Sequence, residues 1–189
     1  MELFKLSLPD RNQLGFQWAV VSEPAIESET QFFSKYPVHE QFKVVSEERR
    51  IVMGYAMIAD KKIPRYSDQR GAYNVVFDRK GCDLAVETIM MNSLTKNVNE
   101  NHQTNQFAEG VFLKWIFQID SELGIKAPDG FETEADGSVF MCMKIENDSV
   151  WDKFKQGIYR GISIEGKFIE EKFGSTIESQ LESFLQSLA

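Results

Sequence analysis

The sequence has few of the residues on which disulfide, metal and cofactor chemistry depend. It contains only 2 cysteines and 2 histidines in 189 residues. Cys82 and Cys142 lack a CxxC spacing, and His39 and His102 are too far apart in sequence to form a metal-ligand motif. No glycine-rich phosphate loop follows a predicted strand. We therefore expect no disulfide framework, no metal site and no cofactor, with both cysteines in the core.

Long apolar runs and an excess of basic residues are also lacking. The chain has 21 Lys and Arg against 29 Asp and Glu, which gives a net charge of −8 and argues against binding to a phosphate backbone. No segment approaches the ~18 apolar residues of a membrane-spanning helix. The first residues do not resemble a secretory signal. We expect a soluble, cytosolic protein with no direct nucleic-acid partner and no membrane partner.

The residues that are present indicate a globular domain with many short strands. Apolar residues make up 42% of the chain and aromatic residues 12%, and no repeat or linker divides residues 1–189, so a single domain is predicted. The predicted strands are 2–8, 16–21, 42–45, 50–58, 73–77, 110–119, 139–145 and 161–166, the first two forming a hairpin. With two or three helices, this pattern predicts a mainly β (α+β) fold, a closed or nearly closed antiparallel β-barrel surrounded by helices.

Three helices are predicted from apolar periodicity and capping residues. One begins at Asp83, and a second, short helix has Asp148 as its N-cap and Gly157 as the left-handed residue after its end. The third helix covers 175–189, where Ser175 to Glu178 matches a capping box before an apolar stripe. We expect that stripe to pack on the barrel or to contact a dimer partner or scaffold protein.

The strand at 161–166 presents a serine on one face. Ile162 and Ile164 share one side of this strand and Ser163 lies on the other, because strand side chains alternate. A serine hydroxyl becomes a nucleophile when a base removes its proton, and His102 is the candidate base. The residues by themselves favour a half-buried structural serine and an exposed or structural histidine over a catalytic pair.

Several segments together resemble a known family. They are 52–65, Tyr73-Asn74-Val75-Val76-Phe77, Val98-Asn99-Glu100-Asn101-His102, Gly137-Ser138-Val139-Phe140, 150–157 and Gly161-Ile162-Ser163-Ile164-Glu165-Gly166. In these segments the chain is similar to the tailed-phage prohead proteases, the capsid-maturation serine proteases related in fold to the herpesvirus assemblins. The resemblance covers roughly residues 45–170.

This resemblance implies roles for particular residues. It makes Ser163 the nucleophile and His102 the general base, with Glu165 as a candidate third member on the Ser163 face and Glu170 or Glu171 as alternatives. Family members often have an acid before the aromatic residue of the strand after the histidine. Here Lys114 stands in that position, which leaves open a weakened or inactive relative.

The resemblance also implies a biological role. It predicts a prohead endopeptidase that cleaves scaffold and capsid precursor proteins, and itself, inside a procapsid assembling in the host cytoplasm. A homo-oligomer, most simply a dimer, is expected. The alternative is a non-catalytic relative that serves as a capsid assembly or scaffold interaction module.

Overall fold

The computed structural model describes residues 2–12, 15–22, 42–103, 106–131 and 134–173. Its strands are β1 (Leu3–Ser7), β2 (Gln17–Val21), β3 (Phe42–Ser46), β4 (Ile51–Met57), β5 (Ile63–Ser67), β6 (Gly71–Val76), β7 (Val98–Glu100), β8 (Val111–Gln118), β9 (Val139–Ile145), β10 (Gly161–Glu165) and β11 (Ile169–Lys172). Its helices are α1 (Arg79–Met91), a 3₁₀ turn (Leu94–Lys96) and α2 (Asp148–Lys155). The helix predicted at 175–189 and His39 lie outside the described residues.

The predicted closed antiparallel barrel is wrong. The described strands form three open sheets, ordered β11-β1-β6-β5, β10-β2-β7 and β3-β4-β9-β8. Two of their pairings, β1 with β6 and β2 with β7, are parallel. Over the residues that can be described, the fold is therefore a mixed α+β arrangement of open sheets with two α-helices.

The error arose in strand pairing. β1 and β2 are strands as predicted, but they do not form a hairpin: β1 pairs with β11 and β6, and β2 pairs with β10 and β7. A further strand, β11, follows the serine strand and pairs with β1, although none was predicted there. Alternation of apolar residues sets the buried face of a strand but does not identify its neighbour.

The helix boundaries also differ from prediction. α1 begins earlier than expected, because Asp78 is its N-cap and accepts a 2.8 Å hydrogen bond from the Gly81 N–H. Asn147 replaces Asp148 as the N-cap of α2, with its Oδ1 accepting from the Val150 N–H at 3.1 Å. The left-handed residue after α2 is confirmed, since Gly157 has φ 68°.

One core joins the sheets and both helices. It includes Trp18 of β2, Ile89 of α1, Met141 of β9 and Phe154 of α2, all buried. A smaller cluster centres on Phe140, which is fully buried among aromatic rings. Among the described residues, no helix has the length and apolar character needed to cross a membrane.

Candidate functional site

The three-stranded sheet β10-β2-β7 brings the predicted site residues together. Ser163 of β10 lies opposite Ala19 of β2, and Ala19 lies opposite Asn99 of β7. Residues directly opposite each other point to the same face of a sheet, and so do residues two apart on one strand. Ser163, Asn99 and Glu165 therefore share one face of the sheet, the site face.

His102 reaches this face from a tight turn after β7. Asn101 and His102 have φ 47° and 64°, and the Gln103 N–H donates to the Glu100 carbonyl at 3.0 Å. Two left-handed central residues with this hydrogen bond make a type I′ turn, in which asparagine is favoured. The Asn101 side chain also accepts from the Ser22 N–H at 3.3 Å, which ties the turn to the end of β2.

A short hydrogen bond joins His102 to Glu165. Nδ1 of His102 lies 2.5 Å from Oε1 of Glu165, whose side chain is only 12% exposed. An ionised carboxylate can only accept, so Nδ1 carries the hydrogen and donates it. In the neutral ring this leaves Nε2 as an acceptor, which is the tautomer that a general base requires.

Asn99 holds the second oxygen of the same carboxylate. Its Nδ2 donates to Glu165 Oε2 at 3.1 Å and to Gln17 Oε1 at 3.1 Å. Asn99 and Glu165 stand on strands separated by β2, and they meet across Ala19, whose small side chain leaves room between them. Asn99 therefore orients the Glu165 carboxylate, and Gln17 in turn holds Asn99.

The sequence prediction missed these two residues. Asn99 belongs to the quoted histidine segment, but its face became evident only when β7 was paired with β2. Its side chain is fully buried and, among the described residues, its Oδ1 has no hydrogen-bond partner. A buried acceptor without a partner lowers the stability of the fold by about 1–3 kcal/mol. A packing role alone therefore does not account for an asparagine at position 99.

Ser163 is half-buried in β10. Among the described residues, neither His102 nor a neighbouring strand makes a hydrogen bond with its Oγ. The structural role considered from the sequence, a hydroxyl bonded to an adjacent strand, is therefore not what the described residues provide. Ser–His hydrogen bonds are often long in enzymes without substrate and shorten when substrate binds.

A cleft of about 270 Å³ runs beside Ser163. Its lining residues come from β1, β4, β5, β6, β10 and β11 and from positions beside these strands. Most of them are apolar, with Met57, Ile63 and Phe77 among them, and Arg65 and Glu170 add charged groups. Ile162 and Ile164 line it together with Ser163, although their side chains alternate. Residues from both faces of β10 reach the cleft because it follows the edge of that strand.

The main chain of β10 is directed away from β2 at two residues. The Trp18 N–H donates to the Asn97 carbonyl, and the Val20 carbonyl accepts from the Asn101 N–H, so these two residues of β2 bond to the β7 side. Ala19 must then bond to β10 at Ser163, its register partner. The N–H and C=O groups of Ile162 and Ile164 consequently point away from β2, and β10 is the outer strand of its sheet.

The alternative acids do not contact the histidine. Glu170 is paired with Arg70, and Glu171 is an exposed residue of β11 opposite Lys5. Lys114, which replaces the acid of the family pattern, is exposed at an irregularity of β8 in a different sheet. Of the candidate acids, Glu165 is the one that the structure places on His102.

Other nucleophiles and metal sites find no support in the described residues. Burial raises the pKa of the Cys82 thiol to about 12, with Asp78 adding to the effect, and burial also raises the pKa of Cys142. A thiol with a raised pKa holds little of the reactive thiolate at neutral pH. Within the described ranges, no group of three or more His, Cys, Asp or Glu side chains is arranged to hold a metal ion.

Comparison with known proteins adds nothing to this geometry. No protein-family model matches the chain, and no similar curated protein or solved structure was found.

Proposed function

We propose that this protein is a serine endopeptidase with Ser163 as nucleophile, His102 as general base and Glu165 as the acid that orients the histidine. The observation that carries the proposal is the 2.5 Å contact between His102 Nδ1 and Glu165 Oε1, on the sheet face to which Ser163 also points. It fixes the ring tautomer in which Nε2 accepts a proton.

The chemistry then follows the usual order of acyl transfer. Nε2 of His102 takes the Ser163 hydroxyl proton while Oγ attacks the carbonyl carbon of the scissile peptide. The tetrahedral intermediate collapses to an acyl-enzyme, and the leaving amine takes the proton from His102. A water then gives its proton to His102, attacks the ester and releases the carboxylic acid, and the proton returns to Ser163.

A main-chain donor for the oxyanion is available beside the nucleophile. The Ile164 N–H follows Ser163 directly and is directed to the cleft side of β10 by the register of the sheet. Backbone N–H groups aimed at the developing oxyanion are among the largest contributions to this kind of catalysis. We assign Ile164 to this role.

The cleft supports a polypeptide as the substrate. An extended peptide can bond to the unpaired edge of a strand through its main chain and place alternate side chains in apolar pockets. The cleft beside Ser163 offers both features, an apolar lining and the outer edge of β10. The hydrolase is therefore proposed to be an endopeptidase.

The biological assignment within this proposal rests on the sequence resemblance. The segments around His102 and Ser163 are similar to the tailed-phage prohead proteases, which supports scaffold and capsid precursor proteins as substrates, cleaved with the protease itself during capsid maturation. Action inside an assembling procapsid in the host cytoplasm, and self-association as a dimer, are parts of the same proposal.

The test is co-expression with the proposed substrate, a capsid precursor protein. Ser163→Ala is expected to abolish cleavage of the precursor and of the protease while the variant remains folded. Ser7→Ala, which removes a half-buried hydroxyl from another strand, is the matched control and should leave cleavage unchanged. Unchanged cleavage by Ser163→Ala would refute the assignment.

A second candidate function follows from the separation of Ser163 and His102. Because no hydrogen bond joins them in the described residues, the chain also suits a relative that kept the site but acts as a capsid assembly or scaffold interaction module. Such a module would bind the scaffold protein equally well with Ser163→Ala and would show no labelling of Ser163 by a fluorophosphonate.

A further inference from the structure

A second polar cluster lies on the opposite side of the same sheet from the site face. Glu100 is adjacent to Asn99 on β7, so its side chain points away from the site face. Its Oε2 accepts hydrogen bonds from Lys153 Nζ and Tyr159 OH, both at 2.5 Å. Lys153 and Tyr159 also contact each other at 3.2 Å, so the three polar groups form a closed triangle.

The cluster joins the two chain segments that carry the candidate catalytic residues. Glu100 is the first residue of the turn that presents His102, and Tyr159 precedes the nucleophile strand, four residues before Ser163. Lys153 belongs to α2, and its carbonyl accepts from the Ile158 N–H at 2.9 Å. Oε2 of Glu100 therefore connects the turn that carries His102 with α2 and with the residues just before β10.

The hydrogen bonds of the cluster shift the pKa values of its members. Partial burial raises the pKa of Glu100, but hydrogen bonds from Lys153 and Tyr159 outweigh it and hold that pKa below its ordinary value. The hydrogen bond with Glu100 raises the pKa of Lys153. Glu100 is therefore ionised and Lys153 protonated at neutral pH, which gives the charge-assisted hydrogen bonds that hold geometry most firmly.

We propose that Glu100, Lys153 and Tyr159 are positioning residues that set the place of His102 relative to Ser163. The proposal depends on the proposed function, because it assigns a role in relation to the same nucleophile and base. The turn that carries His102 has two consecutive residues in the left-handed region, a conformation that surrounding contacts must maintain. The cluster supplies such contacts at the first residue of that turn.

The decisive variants change the length and the charge of residue 100 separately. Glu100→Asp keeps the charge, but it is one methylene too short to reach both partners, whereas Glu100→Gln keeps the length and one oxygen acceptor. Tyr159→Phe and Lys153→Met each remove two of the three hydrogen bonds and leave Glu100 with one partner. Lys155→Met is the matched control, because it removes a neighbouring lysine of α2 that is paired with Asp152.

The first measurement is the rate of Ser163 labelling by a fluorophosphonate as a function of reagent concentration. Glu100→Asp is expected to lower the maximal labelling rate by about 10- to 100-fold, as a misplacement of about 1 Å does, while the reagent concentration for half-maximal rate stays unchanged. Glu100→Gln should retain more of the rate than Glu100→Asp. Lys155→Met should behave as the parent chain.

The second measurement does not depend on activity. Nuclear Overhauser contacts between the His102 ring and the Glu165 side chain are simple to assign, since the chain has only 2 histidines. They should be present in the parent chain and in Lys155→Met, weakened in Tyr159→Phe, and lost in Glu100→Asp. If Glu100→Asp does not fold, Tyr159→Phe and Lys153→Met decide the question in its place.

The outcomes separate this inference from the proposed function. A parent chain that is not labelled at Ser163, but whose Overhauser contacts change as described, would refute the proposed function and keep the positioning role of the cluster. A parent chain that is labelled, with cluster variants that match it in rate and contacts, would overturn the positioning role. A loss of rate in Lys155→Met as large as in Lys153→Met would also overturn it.

Discussion

Replacing Glu165 by glutamine tests the orientation of His102 with a change of one atom. In the parent chain one carboxylate oxygen accepts from His102 Nδ1 and the other accepts from Asn99 Nδ2. An amide has one oxygen and one nitrogen, so it cannot accept at both ends. Because Asn99 presents a donor, the glutamine oxygen should face Asn99 and its NH₂ group should face His102.

That orientation reverses the tautomer of the ring. With a donor in front of Nδ1, the neutral imidazole keeps its hydrogen on Nε2, and Nε2 then cannot accept the serine proton. In a serine protease triad the equivalent acid-to-amide change costs about 10⁴-fold in kcat. Here the His102 side chain is 50% exposed and can turn away from the amide, so we expect a smaller loss, about 10²- to 10³-fold.

The assay is the labelling rate of Ser163 by a fluorophosphonate near neutral pH, followed by mass spectrometry of intact protein. Stability should change by less than about 1 kcal/mol, because the amide can still hydrogen-bond to both partners and the His102 side chain is half exposed. Glu171→Gln makes the same chemical change on an exposed strand and should leave the rate unaltered. A labelling rate for Glu165→Gln equal to that of Glu171→Gln would show that Glu165 does not orient a catalytic histidine.

Three further predictions follow from the described contacts. Ala19→Leu fills the space in which the Asn99 amide meets the Glu165 carboxylate. The free energy of unfolding in urea should fall by about 1–3 kcal/mol, and Ser163 labelling should be abolished. A fully labelled variant would contradict this packing. Gly137→Ala adds a Cβ that would lie 2.9 Å from the Arg79 Cα, and the φ of +88° at residue 137 is unfavourable for alanine. The free energy of unfolding should fall by about 2–4 kcal/mol, and an unchanged denaturation midpoint would contradict this expectation. Because the pKa of Glu100 is depressed in the folded protein, its stabilisation is fully present above the ordinary glutamate pKa of about 4.3 and is lost as the pH falls through the lower folded-state pKa. The difference in Tm between the parent and Glu100→Gln should shrink as the pH falls, and a constant difference would refute the linkage.

The sequence predicted most of the strands and three residues of the candidate site. Alternation predicted β9 and β10, and the glycine after α2 was confirmed because few residues other than glycine adopt its left-handed conformation readily. β5 was not predicted, and Pro64 lies inside it, because β5 is an outer strand, where proline is tolerated. Local chemistry is visible in a sequence because it depends on residues a few positions apart.

Pairing over long sequence distances was decided by the tertiary structure alone. Nothing in residues 17–21 indicates that this strand lies between 98–100 and 161–165, yet that arrangement places Asn99 and Glu165 on one face and brings His102 to the carboxylate. The barrel prediction was wrong for the same reason, because the sequence does not show which strands pair. In the sequence, residue type and the family resemblance together named Ser163, His102 and Glu165 as candidates. The tertiary structure selected Glu165 over Glu170 and Glu171 and added Asn99, because a hydrogen bond depends on distances that only folding sets.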